Sequence, residues 1–389
     1  MIRNVLNAAE MKWQNQSHLL SLLHISPCSR AELARQTGLT RAAISIIVDE
    51  LISLKYIIEG EPILGKVGRK SFVLKLNPNR FHIIGVNIAR DCCKVGIINF
   101  SGKILYSTKL KMYKTSHETL DNITNTLKDT LKSKPYPGEL LGIGITAPGP
   151  LDTSNGRILN PPNFESWAFI SIADYFQEEF NCPVVLENNS NALALAEKFY
   201  GSGFQYKNYV ELNVDSGIGS GVILDGQLYK GTSGFGNDFG HMSINFLGEP
   251  CRCGNIGCAE LYASVPNILR YANQLGHNFS EWKDVVDAAL SENARAMKIV
   301  EKEAGFLSLI IINIMNILDV DAIIIAGDIT YQSDLLVKLL RTQVNQRILA
   351  RVVKQVEIIP STIVAHAPIL SSANLMFEFF FKNELIPNN

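Results

Sequence analysis

The chain has 389 residues, 47% hydrophobic and 19% charged, enough for two or three domains with the balance of an ordinary globular protein. No basic N-terminal segment leads into an apolar run and a small-residue cleavage site, and residues 304–318, an uncharged stretch, fall short of the roughly 20 residues of a membrane span and are interrupted by Ser308, Asn313 and Asn316. A secretory signal and a membrane partner are therefore not expected, residues 304–318 read as a buried helix, and seven cysteines, an odd number, point to a reducing cytoplasm.

The net charge of −1 predicts no nucleic-acid partner, but its distribution does. Residues 1–80 hold eleven Lys or Arg against six Asp or Glu, so a basic N-terminal segment precedes an acidic body. In that segment Leu19, Leu20, Leu22 and Leu23 mark a first helix. Ser29 and Glu32 form a capping box that starts a second helix at Arg30, and Gly38 ends it. Thr40 caps a third, in which Ile44, Ile47, Val48, Leu51 and Ile52 fall on one stripe. Three short helices with a glycine turn between the last two predict a helix-turn-helix. Thr40, Arg41, Ala42 and Ser45, with Ile46, then lie at the start of the last helix and off its core stripe, where this motif meets a major groove. Tyr56, Ile57 and Ile58, followed by the alternating Phe72, Leu74 and Leu76, predict two strands; the turn between them offers Lys66, Arg69 and Lys70 among glycines to phosphates or a minor groove.

From Phe81 the texture changes to strands at residues 83–88, 94–98 and 141–145, with a helix over 116–133, and the plan repeats at 210–214 and 221–224. Two similar halves predict a two-lobed α/β body with a cleft. Late in the body, His241, Cys251, Cys253 and Cys258 match the closed tetrahedral shell of a structural zinc, and Gly254 and Gly257 permit the turns between the thiols. Asp238 and Glu260 flank this cluster without an obvious role as metal ligands.

The first module, residues 15–76, resembles the winged helix-turn-helix of bacterial regulators. The body resembles the ROK family of repressors and sugar kinases, which has the actin-like ATPase fold. The resemblance is carried by the glycine loop from Asp215 to Gly221, the Gly240-His241 step, the cysteine cluster up to Glu260, and Glu187, Asn188, Asn189 and Asn191. It implies a DNA-binding domain over 1–78 and a sugar-binding domain over 79–389, with a small lobe of about 79–190 plus a C-terminal helix and a large lobe of about 191–370. It further implies sugar contacts from Asn188, Asp238, His241 and Glu260, with Asn163 and Asn189 beside them. A kinase of the family uses an aspartate at the position of Asn189 as its base, and a phosphate loop of the type Asp-x-Gly-Gly-Thr where this chain has Asn87 to Asp91. Paired glycines are usual where it has Gly327 and Asp328. The expectation is thus no catalysis, and a homodimeric or tetrameric regulator of carbohydrate genes that answers to operator DNA and a monosaccharide such as xylose. An ATP-dependent sugar kinase with a regulatory DNA-binding domain, and a zinc-stabilised interaction protein with a vestigial pocket, are the alternatives.

Overall fold

The computed structural model describes residues 7–63, 71–162, 164–363 and 366–383. The N-terminal module is built from α1 (Ala8–Ile25), α2 (Arg30–Thr37) and α3 (Arg41–Ser53), followed by β1 (Ile57–Ile63) and β2 (Ser71–Leu76), which pair antiparallel. Ser29 Oγ accepts from the Glu32 amide at 3.2 Å, but the expected box is only half formed, because the Glu32 carboxylate turns to Arg35 and Gln36 instead of its own cap. A nearby guanidinium outcompetes one neutral amide. Gly38 closes α2 at φ 73°, and Thr40 Oγ1 accepts from the Ala43 amide to open α3. Ile44, Val48 and Leu51 are fully buried, with Ile47 and Ile52 half-buried at the margins of the stripe. Leu19, Leu20 and Leu23 of α1 cover them. The turn carrying Lys66, Arg69 and Lys70 lies outside the described residues, as does Asn163.

The body holds two five-stranded sheets of the same plan. The first takes β3 (Phe81–Ile88), β4 (Cys92–Asn99) and β5 (Ile104–Lys111) as an antiparallel meander; after α4 (Ser116–Ser133), β6 (Glu139–Ala147) joins parallel to β3. A small sheet of β7 (Leu151–Asp152), β8 (Arg157–Ile158) and β9 (Ile170–Ser171), then α5 (Ile172–Phe180), leads to β10 (Val184–Asn188), parallel to β6. After α6 (Asn189–Tyr200) the scheme recurs: β11 (Tyr209–Val214), β12 (Ile218–Leu224) and β13 (Gln227–Tyr229) form a meander. The insertion α7 (Glu260–Ala263), α8 (Val265–Gln274), α9 (Trp282–Leu290) and α10 (Ala294–Leu318) precedes β14 (Ala322–Ala326), parallel to β11. Then follow α11 (Asp334–Arg347), β15 (Glu357–Pro360), parallel to β14, and α12 (Ala367–Lys382). The uncharged stretch at 304–318 is the second half of α10, largely buried in the core of the second sheet. No described helix is long and apolar enough to cross a membrane.

Every residue of β3 is buried, as expected of a central strand covered on both faces. One cover is α12, which sits so close to the first sheet that a Cβ on Gly144 would lie 1.8 Å from Ser372 O. The second sheet seats α6 by the same device: a Cβ on Gly221 would meet Ala194 Cβ at 2.5 Å. The two sheets thus face each other across a central pair of helices, α12 lying on the first sheet and α6 on the second. The N-terminal module is not tethered by a loose linker. Asn77 N donates to Tyr56 O at 2.9 Å, the Arg80 guanidinium lies 4.4 Å over the Phe81 ring, and one apolar core runs from Trp13, Leu20, Val48, Tyr56 and Leu74 into Phe81, Phe100, Phe377 and Phe380.

Candidate functional site

His241, Cys251, Cys253 and Cys258 come together with their ligand atoms within 4.8 Å of one another. Cys251 Sγ is 3.7 Å from His241 Nδ1, and Cys253 Sγ is 3.6 Å from Cys258 Sγ. A tetrahedral ion with bonds of about 2.3 Å to sulfur has edges of about 3.8 Å, close to these two separations, so the donor set suits a closed four-ligand site. The backbone explains how. Cys251 N donates to Asn255 O at 2.7 Å and Gly257 N to Glu249 O at 2.8 Å, folding the cysteine loop back twice. Gly257, at φ 66°, also comes so near Asn245 O that a Cβ there would lie at 1.8 Å. Asn255 Nδ2 donates to His241 O at 3.0 Å, which ties the histidine to the knuckle. With Nδ1 facing the sulfurs, Nε2 is left for a second partner.

Glu260 and the segment that follows Asp238 both meet one strand residue, Ile218. Glu260 Oε2 accepts from Ile218 N at 2.9 Å, and Gly240 lies so tightly against Ile218 O that a Cβ would come to 2.2 Å. His241 N in turn donates to Asp238 O at 2.9 Å. Although Asp238 is exposed, protein packed around its carboxyl raises its pKa above the usual carboxylate value; the His241 side chain opposes this and the Glu260 charge adds to it. Asp238, His241 and Glu260 are therefore electrostatic neighbours on the second lobe.

The first lobe contributes Asn188, which ends β10 and caps α6: its Oδ1 accepts from Ser190 N at 2.9 Å, and its Nδ2 lies toward Gly149. The buried Glu187 carboxylate holds it in place, taking Asn188 N at 2.8 Å and Asn191 Nδ2 at 3.0 Å on one oxygen. The other oxygen takes Lys230 Nζ at 2.9 Å, from the segment after β13 on the other lobe, and Lys230 also reaches Thr153 Oγ1 at 3.2 Å. Glu187 was visible in the sequence only as the neighbour of Asn188, and nothing there marked Lys230 as a cross-lobe partner. Asn189 is differently employed. Its Oδ1 accepts from Asn87 Nδ2 at 3.0 Å and its Nδ2 donates to Ile88 O at 3.2 Å, while Asn87 also donates to Thr146 Oγ1 at 2.8 Å. Both ends of the Asn189 amide are thus tied to β3.

At the glycine turn between β11 and β12, burial raises the Asp215 pKa to about 6, and the nearby Asp328, with Asp91 beyond it, pushes in the same direction. A cavity of about 810 Å³, lined in part by Val265, Arg270, Trp282, Lys283, Asp328 and Tyr331, opens on this side. None of Asn188, Asp238, His241 and Glu260 is among the residues that line it. On the N-terminal module, Thr40, Arg41, Ala42 and Ile46 are exposed and Ser45 half-buried, so the first turns of α3 present an open face with a 62% exposed isoleucine at its centre.

Residues 83–378 match the ROK family. The chain belongs to the ROK family. It is 31% identical over 373 residues, 95% of this chain and 96% of the relative, to a xylose repressor of Bacillus spizizenii. It is also 28% identical to a glucokinase of Thermotoga maritima, a match covering 77% of this chain and 98% of the enzyme. Among solved structures, a ROK family transcriptional regulator, a homologue of the E. coli MLC protein, superposes with a TM-score of 0.81 at 22% identity, over 95% of this chain and 97% of that one. The kinase match takes in 77% of this chain, whereas the xylose repressor and the regulator structure each take in 95% of it.

Proposed function

We propose that this ROK protein is a DNA-binding transcriptional repressor of carbohydrate-utilisation genes, released when a monosaccharide such as xylose enters the cleft between its lobes. The observation that carries the reading is the fusion of an exposed recognition face on α3 with a ROK body whose base position, Asn189, is an amide hydrogen-bonded to β3 at both ends. Asn188, Asp238, His241 and Glu260 would bind the sugar, since converging amides, imidazole and carboxylates suit hydroxyls that both donate and accept. Asn163 and Asn189 would line the edge of that pocket. The metal would be a structural zinc held by His241, Cys251, Cys253 and Cys258, fixing the imidazole while Nε2 meets a hydroxyl. Thr40, Arg41, Ala42 and Ser45 would face the major groove, with Lys66, Arg69 and Lys70 on the backbone or minor groove. A homodimer or tetramer would match two half-sites.

The kinase alternative has the glucokinase likeness in its favour. Against it stands Asn189, whose amide cannot take a proton from a hydroxyl. Two assays on the full-length protein separate the readings. Thermal melting with a panel of unphosphorylated monosaccharides should rise with the concentration of one of them, and incubation of that sugar with ATP should yield no sugar phosphate. ATP-dependent phosphorylation abolished by Asp215→Ala would favour the kinase; no sugar response at all would favour a vestigial pocket.

A further inference from the structure

The first helix of the winged helix ends on the seam between the two lobes. His24, in the last turn of α1, stacks on Phe377 of α12 with ring centroids 3.9 Å apart. It lies 4.9 Å from Phe199 and 5.3 Å from Tyr200, the last two residues of α6, and Phe381 closes the slot at 6.0 Å. Since α12 is seated on the first sheet and α6 on the second, one imidazole touches two helices seated on different sheets. The other end of α6 is the pocket itself, where Asn188 caps the helix. A closure of the lobes that moved α6 against α12 would reshape the slot around His24.

The slot is badly satisfied in its present arrangement. His24 Nε2 is 3.4 Å from Asn374 Oδ1, a long contact, and burial pushes the imidazole pKa down to about 3, so the ring is neutral. His24 Nδ1, Asn374 Nδ2, the Tyr200 hydroxyl and the indole nitrogen of Trp13, which packs edge-on against Phe380, are all buried without a partner. Three of the ten such atoms among the described residues, those of His24, Asn374 and Tyr200, gather at this junction of α1, α6 and α12, and that of Trp13 lies farther back along α1. Unpartnered buried polar groups weaken a contact and favour any rearrangement that lets them find partners.

We propose that His24 is the positioning residue that couples the sugar cleft to the winged helix, reading the relative position of α6 and α12 and setting the orientation of α1. This rests on the sugar-sensor reading and adds its transmission route. The test uses two variants of the full-length protein, His24→Leu and Asn374→Leu, which remove unpartnered atoms from opposite walls of the slot and lie outside both binding faces. Anisotropy of a labelled duplex, selected from a random library by the wild-type protein, is measured with and without saturating D-xylose, D-glucose or N-acetylglucosamine, and sugar affinity is measured by calorimetry. The expected result is that sugar affinity and sugar-free DNA affinity stay within about twofold of wild type in both variants, while the sugar-induced change in DNA affinity shrinks about fivefold or more. A wild-type-sized change in both variants overturns the coupling role and leaves the sensor reading standing. If none of these sugars alters the DNA affinity of the wild-type protein, the sensor reading fails and the coupling role with it.

Discussion

At the scale of single residues, much of the chemistry was legible because it is written in short spacings. The three cysteines and His241 close to within 4.8 Å, as their separation and glycines implied. We expect one zinc per chain by elemental analysis, and Cys253→Ala to lose it and to melt at a lower temperature; a native protein that is well folded without metal would refute the site. The residues that missed detection act through distant partners. Lys230 meets Glu187 across 43 positions and Asn87 meets Asn189 across 102, distances over which a sequence carries no spacing signal. Glu211 was equally silent. It is fully buried on β11, both its oxygens lack a partner, and burial followed by the Glu197 charge raises its pKa well above 4.5. The sign follows from linkage: the folded state holds this proton more tightly, so the stabilisation it gives is complete below pH 4.5 and is lost as pH rises toward the folded value. Glu211→Gln should therefore gain stability relative to wild type as melts are taken at increasing pH above 4.5, with a slope of at most about 1.4 kcal/mol per pH unit. A difference independent of pH would show that Glu211 ionises normally.

Single elements were legible where periodicity and caps agreed. The helix expected over 116–133 spans Ser116–Ser133, started by a complete capping box from Thr115 and Glu118. The box expected at Ser29 is half formed because the competing partner, Arg35, is one turn away on the same helix, a competition that spacing cannot settle. On α3 the apolar stripe correctly separated buried from exposed faces, and the exposed face carries the DNA prediction. Arg41→Ala should weaken binding to a selected duplex by about 1 to 3 kcal/mol and relax base preference at one position of each half-site, while leaving sugar binding unchanged. Equal binding by the variant, measured by anisotropy at fixed salt, would remove α3 from the interface.

For the whole molecule, the repeated strand plan announced two similar halves, and the two sheets share one strand order. The fusion of the winged helix to the first lobe was not legible. The sequence showed two modules meeting near residue 78, and only the packing reveals that Trp13, Tyr56, Phe81, Phe100 and Phe380 form one aromatic cluster across that boundary. Phe380→Ala should accordingly cost about 3 to 5 kcal/mol and lower the unfolding of the winged helix together with that of the first lobe, as followed by hydrogen exchange; loss confined to the lobe would mean that the modules fold separately. A shared core seats the winged helix on the first lobe, with His24 at its seam with α6, so that lobe closure would act on the spacing of two recognition helices. The most direct test of that account is an electrophoretic shift of DNA from upstream of the chain's own gene, titrated with D-xylose and a panel of other monosaccharides at constant salt. The account predicts a specific complex that dissociates over the concentration range in which one sugar binds; a complex unchanged by every sugar, or no specific complex at all, would contradict it.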